Sequence, residues 1–184
     1  ANIVSSAPPS SDMRSPPTVL AECRELLEAR LGPMELRPSS GPSYLIPETV
    51  EFRSQAPLVR SDAGDLTALR AANPGNWGVQ EWHQLLDGQL GPWVMLTHAG
   101  EVISICHTPA SSPRGAEAGT WTRADFRGRG HAAAATAAWA ALMRPSGRLL
   151  FYSTSRTNVS SQRVAARLGL RPIGWLWQLG ASER

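Results

Sequence analysis

The segment of the chain with the clearest chemistry is rich in glycine and arginine: Arg127-Gly128-Arg129-Gly130-His131-Ala132. Glycine lets a backbone approach a ligand closely, because no Cβ stands in the way. A run of alanines follows, which predicts a helix that begins at this turn. The unpaired amides and the dipole at the start of a helix both favour negative charge. We therefore expect the segment to hold the phosphates of a ligand of cofactor size through its main chain.

Arginine dominates the part of the chain that contains this segment. Residues 127–184 hold nine arginines and one acidic residue, whereas residues 1–126 hold nine arginines and fourteen acidic residues. The net charge of +3 is too small to indicate nucleic-acid binding by itself. The arginines also gather around one turn and one helix instead of alternating with aromatic residues. We therefore do not expect nucleic acid to be the partner.

Glycine-rich turns occur in several kinds of phosphate site, and two of these do not fit. Gly128, Gly130 and Ala133 have the G-x-G-x-x-A spacing of a dinucleotide site. No acidic residue follows about 20 positions later to bind the ribose hydroxyls. A Walker-type loop needs a lysine, and the chain has none. Two interpretations remain: a pyrophosphate site of another kind, or a tight strand-to-helix turn with solvated arginines.

The hydrophobic pattern predicts the elements that hold this turn in place. Helical spacing is found over residues 18–31, from Ser61 or Asp62 to Ala72, and over 77–86, 131–143 and 158–168; strand-like runs cover 93–97, 102–107, 117–122, 148–154 and 172–179. Residues 33–60 contain five prolines and receive no firm assignment. This order predicts an α/β fold, a mixed sheet with helices on its faces. We divide the chain into a flexible tail (1–17), a helix and extended segment of unknown role (18–54) and a ligand-binding domain (55–184).

Two sequence blocks resemble the GNAT acyltransferases, over about residues 90 to 180. Arg127-x-x-Gly130-x-Ala132 matches the Q/R-x-x-G-x-G/A signature of that family, and the strand at 117–122 fits the strand that precedes it. The second block comprises Tyr152-Ser153-Thr154, Asn158, Ser161-Gln162 and Leu168-Gly169-Leu170. The resemblance implies that residues 55–184 form an acyl-CoA-binding catalytic domain. Its fold would be a twisted, mostly antiparallel sheet whose two central parallel strands splay apart, with coenzyme A in the gap and helices on both faces.

The same resemblance implies an enzyme that transfers an acetyl or other acyl group from acyl-CoA to an amine of a small molecule or peptide. Acetyl-CoA would be the cosubstrate, and no metal is expected. The residues implied to bind coenzyme A are Trp121, Thr122, Arg127, Gly128, Arg129, Gly130, His131, Ala132, Asn158 and Ser161. In this set the glycine-rich turn would bind the pyrophosphate, and Trp121 and Thr122 would offer backbone groups to the pantetheine arm.

Several residues are candidates for moving protons in such a reaction. Many members of the family place a tyrosine in the second helix to protonate the leaving thiolate, but the matching residue here is Ala165. Either Ser161 or Tyr152 would then supply the proton, or the thiolate would leave without help. Glu117 falls where some members carry a catalytic glutamate, and it would accept the proton of the attacking amine. Glu101, His107 on the neighbouring strand and Glu117 are rivals for this role as base.

Other functions stay open at this point. The missing tyrosine is also consistent with a non-catalytic acyl-CoA-binding or sensor domain, and the basic C-terminal third with a nucleic-acid-binding module. Cys23 and Cys106 have no spacing typical of zinc sites. No apolar run approaches the ~20 residues of a membrane span, so we expect a cytoplasmic protein without a membrane partner. The sequence leaves a homodimer open.

Overall fold

The computed structural model describes residues 13–32 and 35–181, and its seven strands form one sheet in the order β2-β3-β4-β5-β6-β1-β7. The strands are β1 (Leu36–Leu45), β2 (Leu58–Arg60), β3 (Val94–His98), β4 (Glu101–Ser111), β5 (Gly115–Thr122), β6 (Leu149–Ser153) and β7 (Arg171–Ala181). The helices are α1 (Val19–Leu31), α2 (Thr67–Arg70), α3 (Val79–Leu86), α4 (His131–Met143) and α5 (Val159–Arg167). None of these helices is long and apolar enough to cross a bilayer.

Helices cover both faces of the sheet, as the sequence predicts. Successive side chains of a strand point to opposite faces, and β3 shows the result. Val94 and Leu96 belong to the cluster that contains Trp139 of α4. Met95 belongs to the cluster that contains Trp82 of α3. Because both faces are covered, β3 is a nearly continuous apolar run.

The parallel strands β5 and β6 separate towards their C-terminal ends. They pair over only three residues, from Gly115 opposite Leu149 to Glu117 opposite Phe151, although β5 runs on to Thr122. All the other strand pairs are antiparallel. This confirms the predicted mixed sheet with two splayed central strands.

The helix predicted from Ser61 or Asp62 to Ala72 is wrong over its first half. Residues 58–60 form the edge strand β2, and α2 covers only Thr67–Arg70. The Asp62 carboxylate lies 2.6 Å from the guanidinium of Arg60 and caps no helix. The carboxylate of Asp65 instead accepts a hydrogen bond from the amide of Thr67.

Residues 36–45, which the pattern leaves unassigned, form a strand inside the sheet. β1 pairs with β7 along its whole length, from Leu36 opposite Ala181 to Leu45 opposite Arg171, and with the end of β6. Gly41 lets the loop after β6 cross β1, because a Cβ there would overlap the carbonyl oxygen of Thr154. The sheet therefore extends into the segment before residue 55.

Most of the predicted flexible tail, residues 1–12, lies outside the described residues. At its described end, the indole Nε1 of Trp177 in β7 donates a hydrogen bond of 3.4 Å to the carbonyl of Met13. The division of the chain at residues 17 and 54 stays a prediction.

Candidate functional site

A cavity of about 430 Å³ opens between the splayed ends of β5 and β6. Its volume lies within the ~300–1,000 Å³ typical of small-molecule sites. The lining residues are Thr120, Trp121, Thr122, Phe126, Arg127, Gly128, Gly130, His131, Ala132, Ala133, Asn158, Ser160, Ser161, Arg163, Val164 and Arg167. All the residues implied to bind coenzyme A line this cavity except Arg129. We call it the first cavity.

The glycine-rich turn presents unpaired amides at the start of α4. Gly128 and Gly130 have φ values of 78° and 87°, in the left-handed region that favours glycine. A Cβ on Gly130 would lie 2.9 Å from Cε1 of Phe52, whereas one on Gly128 would meet open space. Within the part of the chain that the structure describes, no acceptor takes a hydrogen bond from the amides of residues 128–133. Such a group of amides at a helix N-terminus is suited to an anion.

Three arginines reinforce the positive potential of the first cavity. Arg127, Arg163 and Arg167 line it, and none of them forms an ion pair with a described carboxylate. The ion pairs that the described residues do form engage Arg37, Arg60, Arg70 and Arg123. The Arg167 guanidinium lies 5.9 Å from the ring centroid of Phe52, which places it beside the glycine turn. These three cations are therefore available to a phosphate group.

Arg129 points away from the first cavity. Its guanidinium donates a hydrogen bond of 3.0 Å to the carbonyl of Asp125 and lies 5.0 Å from the ring centroid of Phe126. The resemblance implied a role for its main chain, and its amide remains among those of the turn that have no described acceptor.

His131 is held as a neutral ring at the edge of the first cavity. Its Nδ1 lies 3.0 Å from Oγ of Ser54, and that same oxygen accepts a hydrogen bond from the amide of Ala56. A hydroxyl oxygen can accept two hydrogen bonds, so the tautomer of His131 decides whether Ser54 donates to Nδ1 or accepts from it. Burial, and then the positive charge of Arg129, lower the pKa of His131. A neutral imidazole is thus available as a hydrogen-bond donor or acceptor near pH 7.

A pair of hydroxyl groups lies at the inner end of the first cavity. The phenol oxygen of Tyr152 is 2.6 Å from Oγ of Ser161 and 3.3 Å from Oγ1 of Thr120. Burial raises the pKa of Tyr152, so the phenol stays protonated. Asn158 caps α5 by accepting a hydrogen bond of 3.0 Å from the Ser161 amide. Ala165, one turn beyond Ser161 on the same helix, is fully buried.

Glu117 lies outside the first cavity and lines a second one of about 240 Å³. Its position on β5 is the last that pairs with β6 before the two strands separate. The other residues of the second cavity are Ser39, Ser40, Gly41, Ser153, Thr154, Ser155, Leu176 and Gln178. The two cavities therefore border the same pair of splayed strands.

Glu101, Cys106 and His107 line neither cavity. The Glu101 carboxylate lies 2.5 Å from the guanidinium of Arg123. Cys106 is fully buried, and burial raises the pKa of its thiol far above the usual range. His107 packs edge-on against Trp77, and its Nδ1 has no hydrogen-bond partner among the described residues. The described residues also contain no group of three or more histidine, cysteine or acidic side chains placed to hold a metal ion.

Several site residues escaped the sequence analysis for different reasons. Arg163 and Arg167 are four residues apart in a predicted helix, so helical spacing could have placed the two on one face. The residues that β1 and β7 bring to the second cavity gave no signal, because these strands pair across more than 120 positions of sequence.

Comparison with known proteins agrees with this arrangement. The family model for the acetyltransferase (GNAT) domain matches residues 46–171. A GNAT-family protein from Novosphingobium aromaticivorans has a TM-score of 0.58 and 23% identity, over 82% of this chain and 68% of its own. A GCN5-related N-acetyltransferase-like protein from Streptococcus suis has a TM-score of 0.58 and 21% identity, over 86% and 67%.

A third similar structure shows that the relatives are longer than this chain. A GNAT-family acetyltransferase from Colwellia psychrerythraea has a TM-score of 0.59 and 17% identity, over 88% of this chain and 63% of its own. The chain thus spans about two thirds of the length of these structures. No curated protein sequence matches it.

Proposed function

The chain belongs to the GNAT acetyltransferase family, whose domain covers residues 46–171, and on this premise we propose that it transfers an acetyl or other acyl group from acyl-CoA to an amine by direct attack. The observation that carries the proposal is the first cavity, which joins a turn of unpaired amides to the gap between two splayed strands. A phosphate group and an extended thioester arm need these two features side by side.

The first cavity fits coenzyme A as a cosubstrate. The amides of residues 128–133 and the cations of Arg163 and Arg167 would bind its pyrophosphate, since hydrogen bonds to charged groups are stronger than neutral ones. Trp121 and Thr122 end β5 at the wall of the gap, where their backbone groups would pair with the pantetheine arm. Their carbonyls already accept hydrogen bonds, from Oγ of Ser104 and Nε of Arg127 respectively.

Ser161 and Tyr152 are the groups we assign to protonate the leaving thiolate. The Ser161 hydroxyl lines the cavity, and its 2.6 Å contact with the buried phenol of Tyr152 provides a second proton behind it. Residues 161 and 165 share one face of α5, because they are four positions apart. The strand β6 would therefore supply, through Tyr152, the hydroxyl that other family members place at the position of Ala165.

Glu117 is the base of this mechanism. The amine binds as an ammonium ion and must first lose one proton to solvent, because only the neutral nitrogen can attack. The proton that the nitrogen loses as the new carbon–nitrogen bond forms then passes to the Glu117 carboxylate. The carbon–sulfur bond breaks, and the sulfur takes a proton from Ser161; Ser161 takes one from the phenol of Tyr152, and solvent then restores the phenol proton. Oriented binding of the two reactants in neighbouring cavities supplies the proximity that such a transfer needs.

A non-catalytic acyl-CoA sensor is the second candidate, and Ala165 favours it. A buried methyl group cannot protonate a thiolate, so this function requires the hydroxyl pair at Ser161 to be structural only. The sensor and the enzyme differ in one outcome: both bind acetyl-CoA, but only the enzyme releases free thiol in the presence of an amine.

Calorimetric titration with acetyl-CoA, followed by measurement of thiol release with a panel of amines, tests the proposal. We expect micromolar binding of acetyl-CoA, none of NADPH, and amine-dependent thiol release. Gly130→Asp, which places a carboxylate at the turn, should abolish binding. Gly147→Asp controls for the backbone conformation, because Gly147 also has a positive φ, of 68°, but follows the C-terminal end of α4; a Cβ on Gly147 would meet open space, whereas one on Gly130 would meet Phe52. A folded protein that binds no acetyl-CoA would refute the proposal.

A further inference from the structure

The second cavity is polar and carries a single kind of charge. Five of its residues bear hydroxyl groups (Ser39, Ser40, Ser153, Thr154 and Ser155), and Glu117 is the one ionisable side chain that lines it among the described residues. A lone carboxylate among hydroxyl groups attracts a cation that also carries hydrogen-bonding groups. At about 240 Å³, the cavity is smaller than the ~300–1,000 Å³ of typical ligand sites. Its occupant is therefore a small molecule or the end of a longer one.

The position of the second cavity links it to the first. Glu117 and Thr120, which line the second and the first cavity respectively, are three residues apart on β5, or about 10 Å along a strand. On the other side of the gap, Thr154 and Ser155 lead within a few residues to Asn158 in the first cavity. A molecule in the second cavity thus lies next to the gap that would hold the thioester.

Ser39 and Gln178 are exposed polar side chains of the second cavity that have no side-chain partner within the described part of the chain. Ser39 of β1 and Gln178 of β7 are opposite each other in the strand register, so their side chains share one face of the sheet. Neither makes a side-chain hydrogen bond to another described residue, whereas Ser43 and Ser153 on the same face bond each other at 3.0 Å. A hydroxyl group and an amide that are free at the wall of a cavity can bind a polar ligand.

These two residues also lie outside the part of the chain that the family model matches. The GNAT domain covers residues 46–171, whereas β1 ends at Leu45 and β7 begins at Arg171. The ribbon of β1 and β7 therefore contributes to the second cavity side chains that lie outside the matched domain. Residues of this kind are suited to determine which acceptor is used.

We propose that the second cavity is the acceptor site, and that the acceptor is a small hydroxylated primary amine whose ammonium group binds Glu117 and whose hydroxyl groups bind Ser39 and Gln178. This inference rests on the proposed function and adds the class of substrate to it. Ser39 and Gln178 are residues that determine specificity and take no part in the proton transfers.

The test compares two amines of equal ring size, glucosamine and cyclohexylamine, with wild-type protein and with Ser39→Val and Gln178→Leu. We expect each substitution to lower kcat/KM for glucosamine about tenfold, the effect of one lost hydrogen bond, and to leave kcat/KM for cyclohexylamine within twofold. Each variant is compared with wild type on the same amine, so that the different pKa values of the two amines cancel. Ser111→Val is the control, since Ser111 is an exposed strand residue that lines neither cavity.

Affinity for acetyl-CoA, measured on the same variants, separates the two proposals. A folded wild-type protein that does not bind acetyl-CoA would refute the proposed function itself. Normal acetyl-CoA binding with no acetylation of glucosamine, or with unchanged preference in both variants, would overturn the acceptor inference alone.

Discussion

The substitution Arg167→Gln isolates the contribution of one cation to the proposed phosphate site. Arg167 lines the first cavity, its Nη1 atom would lie 3.2 Å from a Cβ on Gly130, and it has no described carboxylate partner. A hydrogen bond to a charged group is worth about 1.5–3 kcal/mol. At about 1.4 kcal/mol per factor of ten, we expect the Kd for acetyl-CoA to rise about 10- to 150-fold.

Calorimetry at several salt concentrations is the assay for this prediction. Salt screens exposed charges, so the wild-type affinity should fall as salt rises, and the affinity of Arg167→Gln should fall less steeply. Arg171→Gln is the matched control, because Arg171 belongs to the same basic stretch but starts β7 and lines neither cavity. Thermal unfolding should change little, since the contact of Arg167 with the Phe52 ring is worth about 0.5–1 kcal/mol at an exposed site.

Two outcomes would refute this reasoning. An acetyl-CoA affinity within twofold of wild type for Arg167→Gln would mean that the guanidinium does not contact a phosphate group. An equal loss for Arg171→Gln would mean that the general positive charge of the C-terminal third, and not the first cavity, attracts the ligand.

Three other predictions concern the turn, the hydroxyl pair and the dependence on pH. Gly128→Ala and Gly130→Ala both place alanine in the left-handed region, at a cost of about 1–2 kcal/mol, but only the second meets Phe52, so urea unfolding should show Gly130→Ala to be the less stable; equal stabilities would contradict the described turn. Tyr152→Phe should lower kcat about 100-fold, the lower end of the range of acid–base catalysis, and leave the Kd for acetyl-CoA within twofold; an unchanged kcat would exclude the phenol as proton source. Burial lowers the pKa of His107 in the folded state, so the unfolded state binds more protons below pH ~6.5. The free energy of unfolding should therefore decrease as the pH falls below ~6.5, and thermal unfolding of His107→Gln should show a weaker decrease. An identical pH dependence of the variant and the wild type would contradict this prediction.

The residues that line the first cavity could be singled out from the sequence because their signals are local. The glycine turn, the following alanine helix and the Asn158 cap each depend on residues within about four positions of one another. The alanine at position 165, where many members of the family have a tyrosine, was visible in the sequence for the same reason. It made Ser161 and Tyr152 the candidate proton donors, and their hydroxyl oxygens lie 2.6 Å apart in the structure.

The second cavity could not be predicted, because it depends on contacts distant in sequence. β1 contains Pro38, Gly41 and Pro42, all residues with low strand propensity, and its partners lie more than 100 positions away.

The helix wrongly predicted at residues 61–72 has another cause. Asp62 resembles an N-cap residue in sequence, but Arg60 lies close enough in the edge strand to take its carboxylate.

A crystal structure of the protein with bound coenzyme A tests the central claim most directly. We expect the pyrophosphate oxygens to lie within about 3.2 Å of the amides of residues 128–133, and the pantetheine arm to lie between β5 and β6 with its sulfur near Ser161. Coenzyme A bound elsewhere, with the glycine turn unchanged and free of phosphate, would contradict the claim.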